Sequence, residues 1–315
     1  MRIVIVGPGA LGCLLGGLLS KKAEVWLLDR DPQRAERIIR NQGISSQGVS
    51  GSWQAKIPAT ARPEDIGDAD LVVICTKAYH TKDAIVQAKS LVKKNTAVLT
   101  LQNGLGNAEV IAEVVGETNV LVGSTQQAVT LLREAHIEHV AKGETVIGHL
   151  AGKVPVSLRQ VREVFNKAGI EARISMNIQG VLWSKLVINA GINALTAVTR
   201  LRNGELTRSE HTAQLLRAAV NEAVRVAKRK RIKLLFDDPV TKVEAVCEAT
   251  AANVSSMLQD VLARRQTEID FINGAIIRQG NSSGIPVPVN TTLYQLVKAV
   301  ESSYQQEVPR PQNPS

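Results

Sequence analysis

The chain has 315 residues, of which 44% are hydrophobic and 21% charged, so it is long enough to bury one large core or two ordinary ones. This composition excludes a disordered or a fibrous protein. Aromatic residues make up only 3% of the chain, which argues against single-stranded nucleic-acid binding because few rings can stack on bases. The net charge of +9 would attract anionic small molecules, nucleic acid or acidic membrane surfaces. Its densest cluster, at residues 228–233, is typical of a solvated helix end, so nucleic acid is only a minor alternative and we expect no nucleic-acid or membrane partner.

The cysteine and histidine residues predict neither a disulfide framework nor a metal site, because the three cysteines are scattered and form no CxxC pair. This use of cysteine fits a cytoplasmic protein. His136 and His139 are expected to be surface residues of an edge strand rather than ligands. The apolar N-terminal run is interrupted by Gly7 and Gly9 and lacks a cleavage site, so we expect no signal peptide there.

Short apolar runs rich in β-branched residues alternate with helical patterns through the first half of the chain. They lie at Arg2–Val6, Glu24–Leu28, Leu71–Cys75, Thr96–Leu101 and Val120–Ser124. This alternation predicts a parallel α/β sheet. Extended pieces within residues 127–149 are expected to add antiparallel strands to one edge of that sheet. A helix at residues 156–167 and a short strand near residues 170–174 complete this half.

Strand signals stop at about Ile178, and the spacing of Ala, Leu, Val, Glu and Arg then predicts helices. We therefore predict an α/β protein with an N-terminal Rossmann-type dinucleotide-binding domain followed by an all-α C-terminal domain. The first domain is expected to cover residues 1–176 and the helical substrate and catalytic domain residues 177–315. The tail at residues 308–315 contains three prolines and is expected to be disordered or draped on the surface.

The first predicted strand runs directly into a GxGxxG turn, and a helical stretch follows the turn. Glycines in this pattern permit a tight turn, close approach of the backbone to a pyrophosphate, and close packing of helix on strand. The helix N-terminus adds free N–H groups and a partial positive charge. These features predict a dinucleotide site whose candidate residues are Gly7, Pro8, Gly9, Ala10, Leu11 and Gly12.

The second predicted strand ends at Asp29 and Arg30, which point to different cofactors. Asp29 would accept hydrogen bonds from the ribose hydroxyls of NAD, whereas Arg30 would pair with the 2′-phosphate of NADP. The basic charge balance favours NADP, and NAD remains the alternative because of Asp29.

Lys185, Asn189 and Asn193 are spaced four residues apart in an otherwise apolar helical segment. At about 100° per residue they form one polar stripe along the helix. The stripe could be the exposed edge of an amphipathic helix. Asparagine is a poor helix former, however, so two of them favour a functional stripe that binds substrate and supplies a proton to a carbonyl oxygen.

Two further blocks accompany this segment, NVSSMLQD at residues 253–260 and RQTEIDFING at residues 265–274, and GIPVP follows at residues 284–288. With the GxGxxG turn and the polar stripe, they make the chain resemble the ketopantoate reductase family over essentially its whole length. The resemblance implies NADPH-dependent reduction of 2-dehydropantoate to pantoate, a step of pantothenate biosynthesis.

The resemblance also implies roles for individual residues. Lys185 would be the general acid that protonates the 2-oxo oxygen, and Glu268 would hold that lysine and approach the nicotinamide ribose. Asn103, in the segment LQNGLG at residues 101–106, would lie between cofactor and substrate, and Lys77 would lie on the cofactor side. The residues that would bind substrate are Asn103, Lys185, Asn189, Asn193, Asn203, Asn253 and Ser256.

Two other functions stay open at the level of sequence. The first is an NAD-dependent dehydrogenase of another branched 2-hydroxy acid, which Asp29 would suit. The second is a non-catalytic dinucleotide sensor, against which the presence of both Lys185 and Glu268 argues. Both a monomer and a homodimer are compatible with the sequence.

Overall fold

The computed structural model describes residues 1–306, and the proline-containing tail lies outside the described residues. Two compact units divide the chain between Leu182 and Trp183. That division falls inside a long helix, whereas the domain boundary predicted at residue 176 precedes the same helix.

The first unit carries the strands and five of the helices described. The strands are β1 (Arg2–Val6), β2 (Glu24–Leu28), β3 (Ile44–Gly48), β4 (Trp53–Ala55), β5 (Ala59–Thr60), β6 (Leu71–Ile74), β7 (Ala97–Thr100), β8 (Val120–Thr125), β9 (Ala128–Arg133), β10 (His136–Ala141), β11 (Thr145–Gly148) and β12 (Ala172–Ile174). The helices are α1 (Ala10–Leu19), α2 (Pro32–Arg40), α3 (Thr81–Ala88), α4 (Asn107–Val115) and α5 (Val156–Lys167).

An eight-stranded sheet runs in the order β12-β11-β8-β7-β6-β1-β2-β5. Strands β5, β2, β1, β6, β7 and β8 are parallel and follow the 3-2-1-4-5-6 order of dinucleotide-binding folds. The five strands predicted from apolar runs are confirmed. Strands β2 and β5 lie on one side of β1, and β6, β7 and β8 lie on the other, so the strand order changes direction between β1 and β6. In open α/β sheets, ligands bind at such a switch point.

Alternate residues of β1 enter two apolar clusters, one on each face of the sheet. Ile3 and Ile5 belong to a cluster with residues of α1 and α5, and Val4 and Val6 belong to another with residues of α3 and α4. A parallel strand covered by helices on both faces has no polar side, which explains its continuous apolar sequence.

A second sheet has the order β4-β3-β10-β9 and covers α1. The expectation that residues 127–149 extend one edge of the main sheet is confirmed for β11, which pairs antiparallel with β8, but it is wrong for β9 and β10. Strand β10 instead pairs parallel with β3, and β3 pairs with β4. The small sheet packs closely, since a Cβ on Gly17 of α1 would lie 2.1 Å from the Trp53 ring.

His139 of β10 is 1% exposed, so the expectation that it is a surface residue is wrong. Its ring Nδ1 lies against the Ser50 hydroxyl, and its Nε2 lies 2.7 Å from Gln127 Oε1. Burial lowers the pKa of His139, and its two ring nitrogens are used by these neighbours. The residue therefore serves the packing of the small sheet.

The second unit is helical, as predicted. Its helices follow α6 (Ile178–Thr199), which contains the division between the units, and they are α7 (Glu205–Arg208), α8 (Glu210–Arg229), α9 (Pro239–Ala249), α10 (Ser256–Leu262), α11 (Asn273–Ser283) and α12 (Pro288–Ser303). By length and composition alone α6 could cross a membrane, but 72% of its most apolar window is buried in the protein. A core helix meets the same criteria.

A buried polar chain fixes α12 and α11 against α6. The Glu222 carboxylate accepts the first-turn N–H groups of Val289 and Asn290 at 2.9 Å each, so a residue from α8 caps α12. Asn290 Oδ1 in turn accepts Asn273 Nδ2 at 3.0 Å, and Asn273 also donates to the Ala190 carbonyl of α6 at 3.4 Å. This chain fixes the middle of α6, the helix that carries the polar stripe.

Candidate active site

The glycine turn between β1 and α1 has the geometry that close approach by an anionic group requires. Gly7 has φ of +84°, and a Cβ there would lie 2.5 Å from the Thr76 side chain. A Cβ on Gly12 would lie 2.5 Å from the Gly7 carbonyl oxygen. A Cβ on Gly9, in contrast, would meet nothing within 4 Å, and no side chain caps α1. The open space at Gly9 and the uncapped N–H groups of α1 therefore fit a pyrophosphate.

Two residues of opposite charge follow β2: Asp29 is buried, and Arg30 is exposed. Asp29 is 4% exposed, and its Oδ1 accepts the backbone N–H of Asp31 at 3.0 Å. Its Oδ2 lies 3.2 Å from Arg34 Nη1, an ion pair whose geometry is not that of a hydrogen bond. Arg30 is exposed, with Nη1 3.2 Å from His80 Nε2. Burial, and to a lesser extent the charge of Arg30, lower the pKa of His80.

The loops after β6 and β7 are tied together by the Gln102 side chain. Gln102 Nε2 donates to the Thr76 carbonyl oxygen at 2.8 Å, one residue before Lys77. The carbonyl of the next residue, Asn103, accepts Asn107 Nδ2 at 3.0 Å. One loop follows β6, which pairs with β1, and the other follows β7, which pairs with β6. Because these strands are parallel to β1, Lys77 and Asn103 lie at the same edge of the sheet as the glycine turn.

The polar stripe of α6 has unused hydrogen-bonding capacity. Lys185 and Asn189 are half-buried, and Asn193 is 6% exposed. Within residues 1–306 neither the Asn189 nor the Asn193 side chain makes a hydrogen bond, and neither amide is among the fully buried polar atoms. Such groups suit a polar ligand that supplies the missing partners.

Lys185 and Glu268 are electrostatically coupled within the second unit. Burial lowers the pKa of Lys185 to about 8, and the negative charge of Glu268 opposes that change. Glu268 is 6% exposed and stands at the start of a short 3₁₀ turn, Ile269–Phe271. A lysine with this pKa is still mostly protonated at pH 7 but releases its proton far more readily than a solvated lysine. The pair is therefore suited to acid–base chemistry.

Asn203 and Asn253 are in direct contact. The Asn203 N–H donates to the Asn253 carbonyl at 3.1 Å, and Asn203 Nδ2 donates to Thr250 Oγ1 at 2.9 Å. Asn203 Oδ1 is buried and has no hydrogen-bond partner within residues 1–306, whereas Asn253 is exposed. The structure therefore fixes the backbones of both residues and leaves one amide acceptor unused.

Two adjacent serines at the start of α10 have different environments. Ser255 is the N-cap, and its Oγ accepts the Leu258 N–H at 3.1 Å and lies 2.6 Å from Thr196 Oγ1 of α6. Ser256 is exposed, and its hydroxyl makes no hydrogen bond within the described part of the chain. Because Thr196 lies three residues after Asn193, the Ser255 contact brings the start of α10 to α6 near the polar stripe.

Comparison with known proteins agrees with this geometry. The family model "Ketopantoate reductase PanE/ApbA" matches residues 3–152, and its C-terminal counterpart matches residues 177–301. The chain belongs to the ketopantoate reductase family. It is 36% identical over 305 residues to a 2-dehydropantoate 2-reductase of Halobacterium salinarum, which covers 96% of this chain and 99% of that protein. A counterpart from Archaeoglobus fulgidus is 35% identical over 302 residues, covering 96% and 98%.

Solved structures of similar proteins share the fold over nearly the full chain. A PanE/ApbA family ketopantoate reductase from Ralstonia eutropha has a TM-score of 0.89 and 33% identity, covering 97% of this chain and 100% of that one. A D-mandelate dehydrogenase in a ternary structure with NADH and anilino(oxo)acetate has a TM-score of 0.88 and 29% identity, covering 96% and 99%. Membership of the ketopantoate reductase family makes the chain an oxidoreductase.

The site residues predicted from the sequence patterns and from the ketopantoate reductase resemblance fall into two groups, one in each unit. The first unit places its group at the carboxyl ends of parallel strands, and this group consists of Gly7, Pro8, Gly9, Ala10, Leu11, Gly12, Arg30, Lys77 and Asn103. The second unit carries Lys185, Asn189, Asn193, Asn203, Asn253, Ser256 and Glu268. Their roles in a ketopantoate reductase remain predictions.

Residues that the sequence did not single out also shape these two groups. Gln102 and Thr196 act through contacts with residues distant in the chain, and no local pattern marks them. Arg34 could have been noticed, because it lies in the first turn of α2, where the helix dipole disfavours a positive charge. Its contact with Asp29 gives the physical reason for that placement.

Proposed function

We propose that this protein catalyses the NADPH-dependent reduction of 2-dehydropantoate to pantoate, a step of pantothenate biosynthesis, with Lys185 as the general acid. The observation that carries the proposal is the electrostatic pairing of Glu268 with Lys185, which lies on α6, the helix whose Asn189 and Asn193 amides make no hydrogen bond in the described chain. Relatives named 2-dehydropantoate 2-reductase over nearly the whole length support it.

The cofactor of the proposed reaction is a nicotinamide dinucleotide, which supplies a hydride when bound. The open space at Gly9 and the uncapped start of α1 would hold its pyrophosphate. Arg30, exposed at the end of β2, would hold the 2′-phosphate of NADP. Lys77 and Asn103 would lie along the nicotinamide side, and Glu268 would approach the nicotinamide ribose.

Lys185 would deliver the proton that the reaction needs. Hydride addition to a ketone leaves negative charge on the oxygen, which a nearby ammonium group stabilises and then neutralises by proton transfer. The pKa of about 8 means that the ammonium is populated at neutral pH and is acidic enough to give its proton up. Glu268 keeps enough positive charge on Lys185 for this role.

The remaining polar groups of the second unit would position the substrate. The Asn189 and Asn193 amides would bind the hydroxyl and carbonyl groups, because their hydrogen-bonding capacity is unused. Ser256, with its exposed hydroxyl, would bind the carboxylate together with Asn253, and the unused Asn203 Oδ1 would accept a hydrogen bond from the substrate hydroxyl. The reactants are small soluble molecules, so we place the protein in the cytoplasm. A homodimer remains one of the assemblies that fit.

One observation favours a second candidate. The D-mandelate dehydrogenase structure with NADH is similar over 96% of this chain, and Asp29 stands at the end of β2. An NAD-dependent dehydrogenase of another branched 2-hydroxy acid is therefore the competing function.

Steady-state kinetics separates the two functions. Initial rates of 2-dehydropantoate reduction are compared with those of other branched and aromatic 2-oxo acids, each with NADPH and with NADH. The proposal requires kcat/KM to be highest for 2-dehydropantoate with NADPH. A higher kcat/KM for another 2-oxo acid with NADH would replace it with the competing function, and tight dinucleotide binding without turnover of any 2-oxo acid would identify a sensor.

A further inference from the structure

We propose that Arg34 is a specificity-determining residue of the dinucleotide site, because it covers the carboxylate of Asp29 and thereby leaves Arg30 free to select the 2′-phosphate of NADP. The inference rests on the NADPH preference proposed above. It resolves the conflict between an acidic and a basic residue at the same strand end.

The guanidinium of Arg34 joins three segments of the first unit. Its Nη2 donates to the Pro8 carbonyl oxygen of the glycine turn at 2.7 Å. Its Nη1 lies 3.2 Å from Asp29 Oδ2 at the end of β2. Its Nε lies 3.3 Å from Glu134 Oε1, in the turn between β9 and β10. The side chain is only 27% exposed, so this position is well defined by its neighbours.

An acidic residue at the end of β2 normally binds the ribose hydroxyls of NAD and would repel a 2′-phosphate. In this protein the Asp29 side chain is 5% exposed, and its Oδ2 is fully buried against Arg34. The other oxygen is occupied by the Asp31 N–H. Asp29 is therefore oriented inward and balanced in charge, and it does not present a bare carboxylate to a ligand.

Arg34 and Arg37 of α2 each lie beside a carboxylate, whereas Arg30, which precedes α2, has no carboxylate partner within residues 1–306. Among the described residues its side chain lies beside His80, whose Nε2 is 3.2 Å from Nη1. The charge of Arg34 is matched by Asp29 and Glu134, so Arg30 holds the positive charge that remains available at this strand end. Loss of Arg34 would uncover the Asp29 carboxylate one residue from Arg30 and weaken its field.

Arg37 provides a matched control on the same helix. It binds Glu134 through Nε at 2.7 Å and lies 3.7 Å from Asp31, but it forms no ion pair with Asp29. Replacing Arg37 thus removes an arginine, and a partner of Glu134, without uncovering Asp29.

The experiment measures dissociation constants of NADPH and NADH for the intact protein by the change in dinucleotide fluorescence, with 2′,5′-ADP as a competing probe. Arg34→Gln is expected to weaken NADPH and 2′,5′-ADP by about tenfold to a hundredfold, because a like charge is uncovered beside the phosphate. NADH affinity is expected to change by less than about threefold. Arg34→Lys keeps a positive charge near Asp29, and Arg37→Gln leaves Arg34 in place, so both are expected to stay within about threefold of the parent for the ratio of the two constants.

A double variant distinguishes cover of Asp29 from direct contact with the phosphate. In Asp29→Asn/Arg34→Gln no charge is uncovered, so the NADPH-to-NADH ratio is expected to return to within about threefold of the parent. This variant also lacks a buried unpaired charge and remains informative if Arg34→Gln folds poorly, which thermal melts reveal.

Equal weakening of NADPH and NADH in Arg34→Gln would assign Arg34 a purely structural role and overturn the inference. Failure of the double variant to recover NADPH selectivity would overturn it as well, because Arg34 would then act on the phosphate itself. A parent protein that prefers NADH would refute the proposed NADPH function, whereas a parent that prefers NADPH with an unchanged ratio in Arg34→Gln would refute the role of Arg34 alone.

Discussion

The ionisation of Lys185 is expected to set the pH dependence of turnover. Burial lowers its pKa to about 8, and the negative charge of Glu268 prevents a larger decrease. A lysine that protonates the 2-oxo group must itself carry the proton. For reduction, kcat/KM is therefore expected to be level below pH 8 and to fall tenfold per pH unit above it, while oxidation of pantoate rises through the same pKa.

Glu268→Gln removes the charge with little change in size. An opposite charge nearby typically raises the pKa of a cation by about one unit or more, so the pKa of Lys185 is expected to fall to about 7 or lower in the variant. At pH 7.5 the protonated fraction then drops from about three-quarters to about one-quarter, a threefold loss of kcat/KM from ionisation alone. Near pH 6 both proteins keep Lys185 protonated, and this part of the loss disappears.

Initial rates of NADPH consumption across the pH range supply the test, and the pH of the bend is the quantity compared. The value of kcat/KM in the pH-independent region is not used for the comparison, because Glu268 is also proposed to approach the cofactor and its replacement can lower that value directly. Glu248→Gln, on the exposed side of α9, is the matched control and is expected to leave the bend in place. If the bend lies at the same pH in Glu268→Gln as in the parent, Glu268 does not act on Lys185 and the proposed acid is wrong.

Three other sets of variants test the lysine, the glycine turn and the start of α10. Lys185→Met is expected to raise the free energy of unfolding by up to about 3 kcal/mol below pH 8, because folding lowers the lysine pKa from 10.5 to about 8 and the charged lysine therefore destabilises the folded state. Urea unfolding curves should show that this gain decreases above pH 8 and vanishes near pH 10.5. Gly9→Ala is expected to melt like the parent and yet bind dinucleotide about tenfold more weakly, while Gly12→Ala is expected to melt earlier, because its Cβ would lie 2.5 Å from the Gly7 carbonyl. Ser256→Ala is expected to raise KM more than it lowers kcat, and an unchanged KM would place the carboxylate elsewhere.

The main sheet could be predicted because its strands are buried on both faces and are therefore continuously apolar. The strand β3, with the sequence ISSQG, carries no such pattern. It forms because β10, far along the chain, pairs with it residue by residue from His136 and Ser45 onward. A local pattern cannot show a pairing between segments so distant, and for the same reason β9 and β10 were expected in the wrong sheet.

The candidate site shows the same limit at the level of single side chains. Helical spacing alone predicts that Lys185, Asn189 and Asn193 share one face of α6. Which of two adjacent serines caps α10 depends on backbone geometry, and Ser255 takes that place while Ser256 stays exposed. The burial of Asp29 depends on Arg34, five residues later and on another element, so a strand-end acid could not be distinguished from a ribose ligand by sequence.

Some predicted site residues carry polar groups that have no partner among the described residues. Of the four buried side-chain atoms without a hydrogen bond within residues 1–306, one is Asn203 Oδ1 of the predicted substrate site, whereas Asp29 Oδ2 is ion-paired with Arg34. The amides of Asn189 and Asn193 add further unused capacity on α6. An unsatisfied buried group costs about 1 to 3 kcal/mol, so the fold gives up stability at Asn203 Oδ1. A 2-oxo acid whose hydroxyl supplies the missing partner is expected to recover that loss, so its binding is expected to raise the melting temperature of the folded protein.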